Sequence, residues 1–233
     1  MNDMTPAICS LTRASCAVKG AVDVPMVVVF GRPGSGKSTV AEKVPRILEE
    51  GPNPMAGSGD VIGLDLDVCI PQWMRDNFAN GVYPTLHQRL AFGQSVCDYV
   101  DVNAPSEKAA VISFSFVNED LRDIFRNRFP RAVWALVDVS DDVAKERIRT
   151  RKGHFYKGKL DSSSEVRGSE DKLSKECFQE KEVKDGIGDS DNSDWDFAPV
   201  EYPHLLLDGL DNAETNAQKV ADALVSLMAN KRI

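Results

Sequence analysis

The chain has 233 residues, and its hydrophobic fraction of 42% is sufficient for one domain with a substantial core. A formal net charge of −8 argues against nucleic-acid or anionic-membrane partners, which require clustered Lys and Arg. Five cysteines without a C-x-x-C pair suggest neither a disulfide framework nor a zinc site, which favours a reducing, cytoplasmic compartment. No apolar run approaches the roughly 18 residues of a membrane span.

Residues 1–24 are rich in small and hydroxyl side chains and lack an apolar signal core. We interpret them as a flexible N-terminal leader, and an organellar transit segment stays open as an alternative. The remainder, 25–233, is predicted to form one domain.

Short apolar runs alternate with helical patterns along this domain. The runs at 26–30, 61–64, 109–114, 133–137 and 205–207 are typical of buried strands. Helices are predicted at 37–50, 85–100, 118–129, from Ser140 onward, and at 212–229, with Asn118 and Ser140 as N-caps. This alternation predicts an α/β fold whose five-stranded parallel sheet is sandwiched by helices.

Two stretches interrupt the alternation. Residues 50–60 form a loop rich in Gly and Pro. Residues 161–196 are polar and poor in apolar side chains, which is typical of a flexible insert. We predict a mobile lid and insert over about 151–197.

A phosphate-binding loop follows the first predicted strand. Residues 31–38, GRPGSGKS, match the P-loop pattern G-x-x-x-x-G-K-[ST] between a strand and a helix. Its glycines allow backbone N–H groups to surround an anion, and the helix dipole adds to the attraction. Lys37 is predicted to contact the β- and γ-phosphates, and the Ser38 hydroxyl to bind Mg²⁺. The predicted nucleotide-binding residues of the loop are Gly31, Arg32, Pro33, Gly34, Ser35, Gly36, Lys37, Ser38 and Thr39.

Two carboxylates end the second predicted strand. Ligands bind at the carboxyl ends of parallel strands, so Asp65 and Asp67 are candidates for the site. We predict that Asp65 contributes to Mg²⁺ binding and that Asp67 accepts a proton from an acceptor hydroxyl. Solvated loop aspartates are the alternative.

Two arginines lie four residues apart at the end of the helix that begins after Ser140. Arg147 and Arg151 therefore share a helix face that leads into the predicted lid. From this position they could neutralise charge on phosphates as the lid closes. An exposed basic helix end is the alternative.

Three further segments make the chain resemble bacterial-type gluconate kinases. They are LDLDVCIP at 64–71, SFSFVNEDLRD at 113–123 and ERIRTRKGHF at 146–155, in the family's order after the P-loop. The resemblance implies a nucleoside-monophosphate-kinase-like fold, ATP and Mg²⁺, and a lid around Arg151. It also implies phosphate contacts from Arg122 and Arg147, and places His154 near the acceptor.

The acceptor side departs from the family pattern. Ile70 replaces a family His, Asn118 replaces a Lys, and only Arg89 remains of a D-x-D-R segment. Because buried polar partners decide specificity, these changes weaken gluconate as the acceptor. We therefore expect an ATP-dependent kinase for a small, anionic or polyhydroxy acceptor.

Two other functions stay open. A nucleotide kinase shares this architecture, and Arg75, Arg89 and Arg122 could bind a nucleotide phosphate in it. A nucleotide-dependent switch or scaffold would bind ATP with little turnover. The sequence leaves both a monomer and a homodimer open.

Overall fold

The computed structural model describes residues 24–50, 60–151, 156 and 196–231. The elements in these ranges are β1 Met26–Phe30, α1 Lys37–Glu50, β2 Val61–Asp65, a 3₁₀ turn Leu66–Cys69, α2 Gln72–Ala79, α3 Leu86–Asn103, β3 Ala109–Phe114, α4 Glu119–Arg128, β4 Val133–Asp138, α5 Asp141–Thr150, β5 Leu205–Asp208 and α6 Ala213–Lys231. Most of the predicted leader and lid, including His154, lies outside the described residues.

The five described strands form one parallel sheet in the order β2-β3-β1-β4-β5. Strand β1 is central, with Val28 opposite Ile112 on one side and Trp134 on the other, and its five residues are all buried. Since all strands run the same way, the loops after β1, β2, β3, β4 and β5 meet at one edge. The predicted α/β sheet is confirmed.

The sheet separates two apolar layers. Helices α1 and α6 cover one face, where Val44 and Leu224 pack with Val29. Helices α2, α3 and α4 cover the other face, where Phe92 and Phe125 pack near Phe30. The site described below is lined by residues of this second layer.

Of the two predicted N-caps, Ser140 makes its capping bond and Asn118 does not, and Thr85 adds a cap that was not predicted. Thr85 and Gln88 exchange both bonds of a capping box at the start of α3, and Ser140 Oγ accepts the Val143 N–H at 3.4 Å in α5. Asn118 occupies the N-cap position of α4 but makes no side-chain capping bond. Helix α2 was not predicted. No helix among the described residues is long and apolar enough to cross a membrane.

Candidate active site

The loop between β1 and α1 is held tightly against α5. Gly34 has φ +84°, and a Cβ at this position would lie 2.6 Å from the carbonyl oxygen of Ala144. Only glycine accommodates both the left-handed backbone and this contact without strain. Gly34 thus allows the loop backbone to lie close to the helix that carries Arg147 and Arg151.

Lys37 begins α1 and extends into a cleft at the carboxyl edge of the sheet. Its side chain is only 8% exposed, and burial lowers the pKa of the ammonium, while Asp67 and Asp65 oppose this effect. Arg151 adds to the lowering, so its charge also lies near Lys37. A buried cation between two carboxylates and a guanidinium is suited to a polyanionic ligand.

The two carboxylates at the end of β2 and in the turn after it differ in their surroundings. Asp65 Oδ1 accepts the N–H of Asp67 at 3.0 Å and thereby caps the 3₁₀ turn. Asp67, inside that turn, lines the cleft together with Lys37. Arg75 of α2 donates to the carbonyl oxygens of Asp67 and, at 2.9 Å, of Ile70. The turn that presents Asp67 is thus fixed from both sides.

The two arginines of α5 have different positions. Arg147 donates to the carbonyl oxygen of Ser35 at 3.0 Å and to that of Gly209 at 2.9 Å, so it ties the P-loop to the turn after β5. Arg151, at the C-terminal end of α5, lines the cleft. Arg32 of the P-loop pairs with Asp141 at the start of the same helix.

Arg122, for which the resemblance implies a phosphate contact, is buried beneath the backbone that follows β3. Its side chain is 0% exposed, and it donates to the carbonyl oxygens of Phe116 at 2.8 Å, Pro199 at 2.8 Å and Val117 at 3.2 Å. Its guanidinium also lies 4.5 Å from the ring centroid of Phe197. In this conformation three of its N–H donors hold backbone carbonyl oxygens, and Arg122 is not among the described residues that line the cleft.

Of the acceptor-side residues that the sequence suggested, the structure brings Asp67 and Arg89 into the cleft. Arg89 Nε donates to Asp120 Oδ2 at 2.8 Å, and Nη1 donates to the Pro84 carbonyl oxygen at 3.2 Å. Arg75 lines no part of the cleft among the described residues and instead supports the turn at Asp67. His154 lies outside the described residues.

Sequence reasoning missed the apolar walls of the cleft. Met74 and Phe78 of α2, Phe114 of β3, Phe116 and Tyr156 line it. The spacing of four between Met74 and Phe78 was a signal for one apolar helix face, and Pro71 before it suits a helix start. The cleft is open to solvent at this edge of the sheet.

Comparisons with known proteins agree with this geometry. No protein-family model matches the chain. It is 27% identical to the thermoresistant gluconokinase of Escherichia coli strain K12 over 133 residues, which is 57% of this chain and 70% of the relative. The resemblance to gluconate kinases is thereby confirmed.

Solved structures share the fold at lower identity. A sugar kinase from Janibacter sp. HTCC2649 aligns with a TM-score of 0.59 and 19% identity, over 87% of this chain and 95% of the other. A gluconokinase from Sinorhizobium meliloti 1021 gives 0.52 and 18%, over 91% and 97%. The APS kinase of Mycobacterium tuberculosis, in complex with AMPPNP and APS, gives 0.53 and 16%, over 86% and 96%. The fold is that of P-loop kinases, and the comparisons together indicate an ATP-dependent kinase.

Proposed function

We propose that this chain transfers the γ-phosphoryl group of ATP to a hydroxyl of a small acceptor bound in the cleft. The observation that carries the proposal is that Lys37 of the P-loop and Asp67 of the turn after β2 line one cleft at the carboxyl edge of the sheet. A phosphate-binding cation and a proton acceptor thus face the same space. Because the relative is a gluconokinase, a small hydroxy acid is the first acceptor to test.

In the proposed reaction, the acceptor hydroxyl oxygen forms a bond to the γ-phosphorus, and the bond from that phosphorus to the β–γ bridging oxygen breaks. ADP leaves with the bridging oxygen, and Asp67 takes the hydroxyl proton. Lys37 and Arg151 hold the negative charge that develops on the transferring group. Arg147 contributes through the P-loop, whose Ser35 carbonyl oxygen it binds.

The chain also has residues that suit a magnesium ion bound with ATP. Ser38 is half-buried in the first turn of α1, and Asp65 lies close enough to Lys37 to affect the pKa of the ammonium. Hydroxyl and carboxylate oxygens are ligands that Mg²⁺ prefers, so this donor set fits. When bound, the ion would neutralise phosphate charge.

We propose a cytoplasmic location for the enzyme. The free thiols of Cys69 and Cys97 support it, because reduced cysteines suit that compartment.

The test measures ADP release by the purified full chain with ATP, Mg²⁺ and pooled small alcohols, sugar acids and nucleoside monophosphates, and identifies the phosphorylated product by mass. We expect ADP release that depends on an alcohol in the pool. Dependence on a nucleoside monophosphate would instead establish a nucleotide kinase. Tight ATP binding without acceptor-dependent turnover would overturn the proposal and favour a switch.

A further inference from the structure

The cleft extends from Lys37 and Asp67 towards α2, α3 and α4, and its described walls there are apolar. The side chains that form this part are Met74, Phe78, Phe92, Phe114, Phe116 and Leu121. All six are buried against the core, so their positions are fixed by packing before any ligand binds.

Few polar groups accompany these walls. Apart from Lys37, Asp67 and Arg151, the polar side chains among the described lining residues belong to Arg89, Ser115 and Tyr156. Arg89 is already engaged, because Asp120 accepts its Nε–H at 2.8 Å and balances its charge. A ligand with many hydroxyl groups would lose their hydration here and find few described partners.

The wall after β3 is held in a strained form. Phe116 has φ +42°, which is unusual for a bulky residue, and its ring packs edge-to-face on Phe114 at 5.1 Å. Arg122 keeps this backbone in place by binding the carbonyl oxygens of Phe116 and Val117. Strain that is held in this way is typical of functional sites, where it fixes the position of a contacting side chain.

Tyr156 also lines the cleft, next to Phe78 of α2. Tyr156 lies edge-on to Phe78 with ring centroids 6.1 Å apart, and its hydroxyl is hydrogen-bonded to that of Tyr83. Burial, followed by the effect of Tyr83, raises the pKa of Tyr156. The phenol therefore stays neutral, and this wall presents ring surface.

We propose that the acceptor is a hydroxy compound with an apolar body of aromatic size, which packs against Phe78, Phe92 and Phe114. This inference rests on the proposed function, since it places the acceptor hydroxyl towards Asp67. It narrows the acceptor class to compounds whose reacting hydroxyl lies next to an apolar group that the cleft can bury.

The test is calorimetric binding to the full chain saturated with a non-hydrolysable ATP analogue and Mg²⁺. The probes are lactate, 3-phenyllactate and gluconate, of which the first two differ by one phenyl group. We expect 3-phenyllactate to bind at least about tenfold more tightly than either other compound, because the phenyl group is buried in a preformed apolar space. Gluconate binding as tightly as 3-phenyllactate, or more tightly, would overturn the inference.

A pair of matched variants locates the effect. Phe78 and Phe129 are 7% and 4% exposed, but only Phe78 lines the cleft among the described residues. Phe78→Leu should weaken 3-phenyllactate severalfold and leave lactate unchanged, whereas Phe129→Leu should change neither affinity. An equal effect of both variants would contradict the placement of the phenyl group against Phe78. The comparison of the three probes with the wild-type protein does not depend on either variant.

The binding measurement also separates this inference from the proposed function. Tight 3-phenyllactate binding without ADP release from any acceptor would refute phosphoryl transfer while retaining the apolar pocket. Acceptor-dependent ADP release with gluconate as the best substrate would support phosphoryl transfer and refute the apolar acceptor.

Discussion

At the scale of single residues, the buried ammonium of Lys37 destabilises the ligand-free fold and stabilises a bound phosphate. Burial lowers the pKa of its ammonium, so the ligand-free protein holds a cation that the fold disfavours. We predict that Lys37→Met lowers kcat by about 10²–10³ while the Tm of the ATP-free protein stays equal or rises. ADP-release kinetics and thermal denaturation measure the two effects. Near-normal turnover in the folded variant would contradict the assigned role.

Substitution of Asp67 and of Asp65 by Asn should affect different kinetic properties. Asp67→Asn keeps the shape but cannot accept a proton, so kcat should fall by about 10²–10⁴ with little change in ATP affinity. Asp65→Asn retains an oxygen for the Asp67 N–H, and should instead raise the Mg²⁺ concentration needed for half-maximal rate. Titrations of Mg²⁺ and ATP test both variants. The same mild defect in both would mean that the two carboxylates have no separate roles.

At the scale of secondary-structure elements, α5 acts as a support for the P-loop. Arg147 binds Ser35 and Gly209 through their carbonyl oxygens, and neither bond can form with a shorter neutral side chain. We predict that Arg147→Gln weakens ATP binding about tenfold, an effect equal to about 1.4 kcal/mol.

The control for this prediction is Arg149→Gln on the same helix. Arg149 is 77% exposed and pairs with Glu146, so its loss should leave ATP affinity unchanged. Calorimetric titration with ATP compares the two variants. Equal affinities in the Arg147 and Arg149 variants would show that the bonds to the P-loop do not matter for binding.

The elements that the sequence predicted are those whose signals are local. Buried strands such as Met26–Phe30 and the P-loop follow from short patterns, and the capping residue Ser140 lies next to its helix. Helix α2 has only eight residues, so the spacing of Met74 and Phe78 is too short a pattern to predict it on its own, and its apolar face packs on the cleft. The burial of Arg122 could not be predicted either. Its partners include Pro199, 77 positions away, which no local pattern could indicate.

At the scale of the whole molecule, the sheet separates the cleft from the layer formed by α1 and α6. Leu224 of α6 is fully buried in that layer. We predict that Leu224→Ala lowers the free energy of unfolding by about 2–5 kcal/mol through the cavity it leaves, and leaves KM and kcat unchanged below the unfolding transition. Ser226→Ala on the exposed face should change stability by less than about 0.5 kcal/mol. Urea denaturation and steady-state kinetics measure these effects, and a large change in KM for Leu224→Ala would contradict the separation.

The way in which Arg122 is held has a consequence for the conditions that the cleft can tolerate. Its direct partners are three carbonyl oxygens and the faces of Phe197 and Phe30, none of which titrates or attracts counter-ions. Carbonyl dipoles and ring quadrupoles remain in place when ionic strength screens ion pairs. High ionic strength should therefore weaken the Arg89–Asp120 ion pair of the cleft more than it affects the wall at Phe116.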